Sequence, residues 1–163
     1  IVDDSSGVAL IVVDDNSQNA IVIVAGANGA MTPAVIDRFD AVLQAADVLV
    51  LGVPMYNFGI PSQLKALFDR VARAGVTFKY TEQGPVGLLD DKPVIIFATR
   101  GGVYQGTSLD SQTPFLQTFF NFIGLKDLHF VFAEGLNMGA DAQQAALTAA
   151  KSRLVEISAT IAA

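Results

Sequence analysis

Three short apolar runs, 47–53, 93–98 and 128–133, limit what this chain can fold into. A strand with one wet face alternates apolar and polar residues, whereas a run such as Val48-Leu49-Val50-Leu51-Gly52-Val53 asks for cover on both faces. The segments between the runs change period. After Pro61, Leu64, Leu67, Phe68 and Val71 form a helical stripe that ends near Gly75. Pro114–Phe122 reads as a short aromatic helix and 141–161 as an Ala-rich closing helix. Residues 76–91, with Val76, Phe78 and Tyr80 alternating, read as an excursion or a short hairpin. From Asp47 onward the order is β-α-β-α-β-α, which predicts a parallel sheet with helices on its faces.

The amino-terminal third follows another pattern. Gly7–Val13 and Ala20–Ala25 are β-rich runs separated by the polar cluster Asp14-Asp15-Asn16-Ser17-Gln18-Asn19, the signature of an antiparallel hairpin. Gly26-Ala27-Asn28-Gly29 breaks the second run, and Thr32-Pro33 caps and starts an amphipathic helix over 33–46. The predicted fold is one α/β domain spanning 1–163, a three-layer, flavodoxin-like and mostly parallel sheet. An N-terminal antiparallel hairpin replaces its first strands. Which hairpin strand lies beside 47–53 is left open by the pattern.

Composition narrows the function. With 52% hydrophobic and 16% charged residues, the chain can bury a core without staples. Its apolar runs are too short to span a bilayer, no secretory leader is expected, and a cytoplasmic protein from recombinant expression is the reading. The absence of cysteine excludes disulfides, thiolate metal sites and a catalytic thiol. A net charge of −6 argues against nucleic acid as a partner. His129 stands alone, no carboxylate–histidine cluster has metal spacing, and neither a metal ligand nor a catalytic side chain is assigned.

The chemistry points to two loops that leave apolar strands. Pro54, Met55, Tyr56, Asn57 and Phe58 follow the first run. Thr99, Arg100, Gly101, Gly102 and Tyr104 follow the second. In open α/β sheets, ligands lie outside the carboxyl ends of the strands. Loops that offer backbone N–H groups, an amide and aromatic rings there suit a flat heteroaromatic cofactor. Arg100 reads better as a solvated or carboxylate-paired residue than as a catalytic one.

Two family resemblances follow from specific segments. Pro54-Met55-Tyr56-Asn57-Phe58, Phe68–Phe78, Thr99-Arg100-Gly101-Gly102 and Phe130–Gly135 resemble the FMN-dependent NADH azoreductases, a quinone-reductase-like branch of the flavodoxin fold, over 46–163. This resemblance implies that both loops surround a flavin ring, that Tyr80 corresponds to an aromatic beside it, and that the flavin passes two electrons from a nicotinamide to a quinone or azo compound. Ser6–Ile11, Ala25-Gly26-Ala27-Asn28 and Met31-Thr32-Pro33 resemble instead the ribokinase branch of sugar kinases, over about 1–45. Together they predict an engineered chimera joined near Ala45–Leu49, without selected activity, a monomer or weak homodimer. FMN binding is expected to be weak or absent, because no phosphate-binding turn is visible. The alternatives are a working FMN-dependent NAD(P)H azoreductase or quinone reductase, and a sugar-binding module.

Overall fold

A computed structural model of the chain describes residues 9–14, 19–24, 41 and 43–161. Five strands form the main sheet: β1 (Ala9–Asp14), β2 (Asn19–Val24), β3 (Val48–Pro54), β6 (Val94–Thr99) and β7 (Leu128–Ala133), in the order β1-β2-β3-β6-β7. Only β1 runs antiparallel, paired with β2 from Ala9↔Val24 to Asp14↔Asn19. The hairpin is thus as expected, and β2 is the strand beside β3, in register Ala20↔Val48 to Val24↔Gly52. A parallel neighbour needs a long crossover, and the chain between β2 and β3 supplies one. Residues 41 and 43–45 are helical, consistent with the end of the helix predicted over 33–46. The rest of that helix, the Gly26–Gly29 break, the Thr32-Pro33 cap and the polar turn at 15–18 lie outside the described residues.

One face of the sheet carries α1 (Ser62–Val71) and α2 (Gln112–Ile123). Leu49, Leu51 and Val53 point into this layer, against Leu64, Phe68, Leu116 and Phe120. Phe68 lies flat on Phe119, with centroids 4.1 Å apart. The opposite face carries α3 (Ala140–Ile161), where Ile157 packs with Ile95 and Val131. The two faces are unequally covered, since Val48, Val50 and Phe97 on the α3 side are only partly buried.

The excursion is the two-stranded hairpin β4 (Phe78–Thr81) and β5 (Gly84–Gly87). It returns against the end of α2 at a close backbone approach. A Cβ at Gly87 would lie 2.1 Å from the Gly124 nitrogen, and Gly124 itself has φ 111°. Glycine is required at both places. Before β6, the Lys92 ammonium donates to the carbonyls of Leu43 and Gln44, 2.9 and 3.0 Å away, which closes the end of the preceding helix.

Candidate functional site

The carboxyl ends of β3, β6 and β7 lie side by side, and the loops that leave them form the candidate site. The first loop is a tight turn. Tyr56 and Gly59 exchange backbone hydrogen bonds of 3.0 Å in both directions. Asn57 and Phe58 sit between them with φ of 49° and 68°. Two successive positive φ values make this a turn of the primed, hairpin-closing kind. Asn tolerates that region, whereas a Phe there is uncommon and costs about 1 kcal/mol or more. The strain leaves the Tyr56 and Phe58 rings exposed at the strand end.

The second loop leaves β6 and is tied to the first. Met55 N–H donates to the Thr99 carbonyl at 2.9 Å. The Phe58 and Tyr104 rings meet edge to face at 5.6 Å. Gly101 and Gly102 carry the chain between them. A Cβ on Gly101 would meet the Asn137 amide at 2.7 Å, and one on Gly102 the Tyr104 hydroxyl at 2.7 Å. Among the described residues, the N–H groups of Gly101, Gly102 and Val103 donate to no acceptor, while the carbonyls of Gly101 and Gly102 accept from Asn137 and Gly135. The loop therefore offers a short row of N–H donors beside two aromatic rings. That combination suits the polar edge and the flat face of a heteroaromatic ligand.

Beneath the loops lies a buried polar network. The Arg100 side chain is fully buried and makes a two-pronged pair with Asp110, Nη1 to Oδ2 and Nη2 to Oδ1, both 3.0 Å. Its Nη1 also reaches Glu134 Oε1 at 3.0 Å, Nη2 reaches the Thr113 hydroxyl at 2.7 Å, and Nε reaches Gln112 Oε1 at 3.1 Å. Because Nε can only donate, the Gln112 amide must turn its NH2 toward β3, where it donates to the carbonyls of Val53 and Pro54 at 3.2 and 3.1 Å. Asp110, just before the Ser111 N-cap of α2, also accepts the first-turn Thr113 N–H at 3.0 Å. Burial opposes ionisation of Asp110. Hydrogen bonds from the Thr113 N–H and hydroxyl and from Arg100 outweigh it, and the carboxyl is held below the usual carboxylate range. At the α2 start, the Ser111 hydroxyl donates to the Phe58 carbonyl.

The residues singled out in the sequence divide accordingly. Pro54, Met55, Tyr56, Asn57 and Phe58 share one wall, and Thr99, Gly101, Gly102 and Tyr104 the other. The Arg100 side chain points inward and is carboxylate-paired. Tyr80 stands on the separate β4–β5 hairpin, exposed and edge-on to Phe78. No group of three potential metal ligands occurs among the described residues. The sequence reading did not single out Glu134, Asp110, Gln112 and Thr113. A signal existed for Glu134. It follows β7 as Arg100 follows β6, and parallel pairing of Thr99 with Ala133 makes them neighbours.

Comparison with known proteins identifies the fold family. A family model described as flavodoxin-like fold matches residues 16–157. An FMN-dependent NADH:quinone oxidoreductase of Alteromonas mediterranea is 58% identical over 121 residues, 74% of this chain and 60% of that protein. The FMN-dependent NADH:quinone oxidoreductase 6 of Burkholderia lata is 51% identical over 157 residues, 94% of this chain and 79% of that protein. The crystal structure of azoreductase from Bacillus anthracis superposes with a TM-score of 0.65 at 34% identity, covering 74% of this chain and 62% of that one. The chain spans about three fifths of the length of some of the curated relatives it matches, 60% of the Alteromonas mediterranea protein and 62% of an FMN-dependent NADH:quinone oxidoreductase of Alcanivorax borkumensis.

These matches correct two expectations. Both the family model and the Burkholderia lata alignment run through 45–49, where a junction with a ribokinase-like segment was expected. An engineered chimera without selected activity is therefore set aside. The resemblance read in 1–45 rested on short strand-and-glycine segments that many α/β proteins share. The expectation of weak or absent FMN gains no support either, since relatives aligned across that region are named FMN-dependent, and the turn at issue lies outside the described residues. By its matched length and its relatives, this chain belongs to the flavodoxin-like fold family.

Proposed function

We propose that the chain works as an FMN-dependent NAD(P)H oxidoreductase of the quinone-reductase and azoreductase type. One observation carries the reading. Two loops at the sheet's carboxyl end set exposed aromatic rings beside a row of backbone N–H groups unpaired among the described residues, the arrangement a flat, hydrogen-bonding ring requires. The relatives' names supply the cofactor and the reaction class.

In this reading Pro54, Met55, Tyr56, Asn57 and Phe58 hold one side of the isoalloxazine ring. Thr99, Gly101, Gly102 and Tyr104 hold the other, while the Arg100 side chain organises the loop from beneath and its backbone pairs with Ala133 and Leu136. The N–H groups of Gly101, Gly102 and Val103 would be available to donate to a bound ring, and the aromatic side chains would shield it from water. Bound flavin supplies two-electron transfer between a nicotinamide and an acceptor. The chain's own task is to bind, orient and shield. The acceptor is a quinone or azo compound, the location is the cytoplasm, and the assembly is a monomer or weak homodimer, which sedimentation at several concentrations tests.

A fluorescence titration of FMN, with riboflavin in parallel, tests the reading. Saturable quenching by both flavins supports a ring site, and a preference for FMN adds a phosphate site. Unquenched flavin in the presence of folded protein would refute it.

A further inference from the structure

The geometry points to Glu134 as a positioning residue that latches the ring-side loop to the end of β7, with Arg100 holding the latch in place. This inference rests on the flavin reading above. Glu134 Oε1 is a three-way acceptor. It takes the backbone N–H of Tyr104 and of Gln105, both at 2.9 Å, and Arg100 Nη1 at 3.0 Å. The Glu134 side chain is only 11% exposed and that of Arg100 is fully buried. These are therefore charge-assisted bonds in a largely dry setting, where they are stronger than in water.

Only one of the two carboxylates beside Arg100 serves the loop. Asp110 takes the two-pronged face of the guanidinium and accepts the Thr113 N–H at the start of α2. Glu134 uses the remaining Nη1 bond to fix its own rotamer and spends its oxygen on the loop. Two consecutive N–H groups pointing at one oxygen define the path of the chain at Tyr104, and with it the ring that meets Phe58. Glu134 touches neither ring. It acts through Tyr104.

Two variants separate geometry from charge. Glu134→Ala removes all three bonds. Glu134→Gln keeps an acceptor oxygen in place and removes the charge. The first readout is amide hydrogen exchange of Tyr104 and Gln105 in the flavin-free protein, which involves no cofactor. We expect exchange to speed by about tenfold or more in Glu134→Ala and to recover largely in Glu134→Gln, with α2 and β6 amides unchanged in both. The second readout is affinity for FMN and riboflavin. A loop that serves the ring predicts equal weakening for both flavins, about tenfold in Glu134→Ala.

Unchanged exchange at Tyr104 and Gln105, or faster exchange throughout the molecule, would overturn the latch. So would a loss confined to FMN, which would mark an effect on the phosphate. Failure of the unaltered chain to bind either flavin would overturn the flavin reading, and the exchange comparison would still decide whether Glu134 holds the loop.

Discussion

Phe58 sets stability against binding within one residue. Its backbone lies in the left-handed region at φ 68°, and its ring stands at the mouth of the site against Tyr104. Phe58→Gly should relieve about 1 kcal/mol of backbone strain and lose an edge-to-face contact of about the same size. Chemical denaturation should therefore show little net change, while flavin affinity falls. Arg100 behaves differently. Arg100→Met strands Asp110 and Glu134 without their cation, and loss of one partner from a buried pair costs about 3–5 kcal/mol. A urea titration reads that loss directly. Asp110 adds a pH signature. Its folded pKa is depressed, so its contribution is complete above the ordinary carboxylate value and disappears as pH falls through the lower folded value. Asp110→Asn should lower stability near neutrality and flatten the acid limb of the stability profile. At this scale the sequence was legible in part. The exposed loop residues carry their chemistry in their identity, whereas Glu134 and Gln112 take meaning only from the register and helix packing that bring them to Arg100.

Elements were more legible, because periodicity reports them. The third long apolar run coincides with β7 at Leu128–Ala133, and the closing helix begins within one residue of its expected start. Neighbour relations were the harder part. The β-rich apolar runs that mark β1 and β2 as strands fit either one beside β3, and only the crossover length favours β2. The start of α2 was also read late, at Pro114, because proline suits a first turn. The helix starts at Gln112 with Ser111 as its N-cap, and Asp110, one residue earlier, accepts the Thr113 N–H of the first turn. Gly87 is likewise invisible as a packing position in the sequence, yet it touches the Gly124 backbone across the β5–α2 contact. Gly87→Ala should destabilise by about 1–3 kcal/mol through overpacking. The site loops lie elsewhere, so the variant's flavin affinity at a temperature where it stays folded should match that of the unaltered chain.

For the molecule as a whole, the amino-terminal third was read least well. Short segments suggested a foreign origin, and the family match across 16–157 replaces that with a single lineage. A few strand residues and glycines recur in unrelated α/β proteins because the same crossover geometry demands them, so they specify fold more than ancestry. The carboxyl two thirds were legible because two loops with unusual chemistry follow buried strands. No described helix is long and apolar enough to cross a membrane. The proposed function requires that these loops seat a redox-active flavin. The most direct measurement equilibrates the purified chain with FMN, removes free flavin by gel filtration, and follows the visible flavin band anaerobically as NADH and then a quinone are added. The account predicts that the band travels with the protein, bleaches with NADH and returns with the quinone. Flavin that elutes free of folded protein, or a retained band that neither reagent changes, would contradict it.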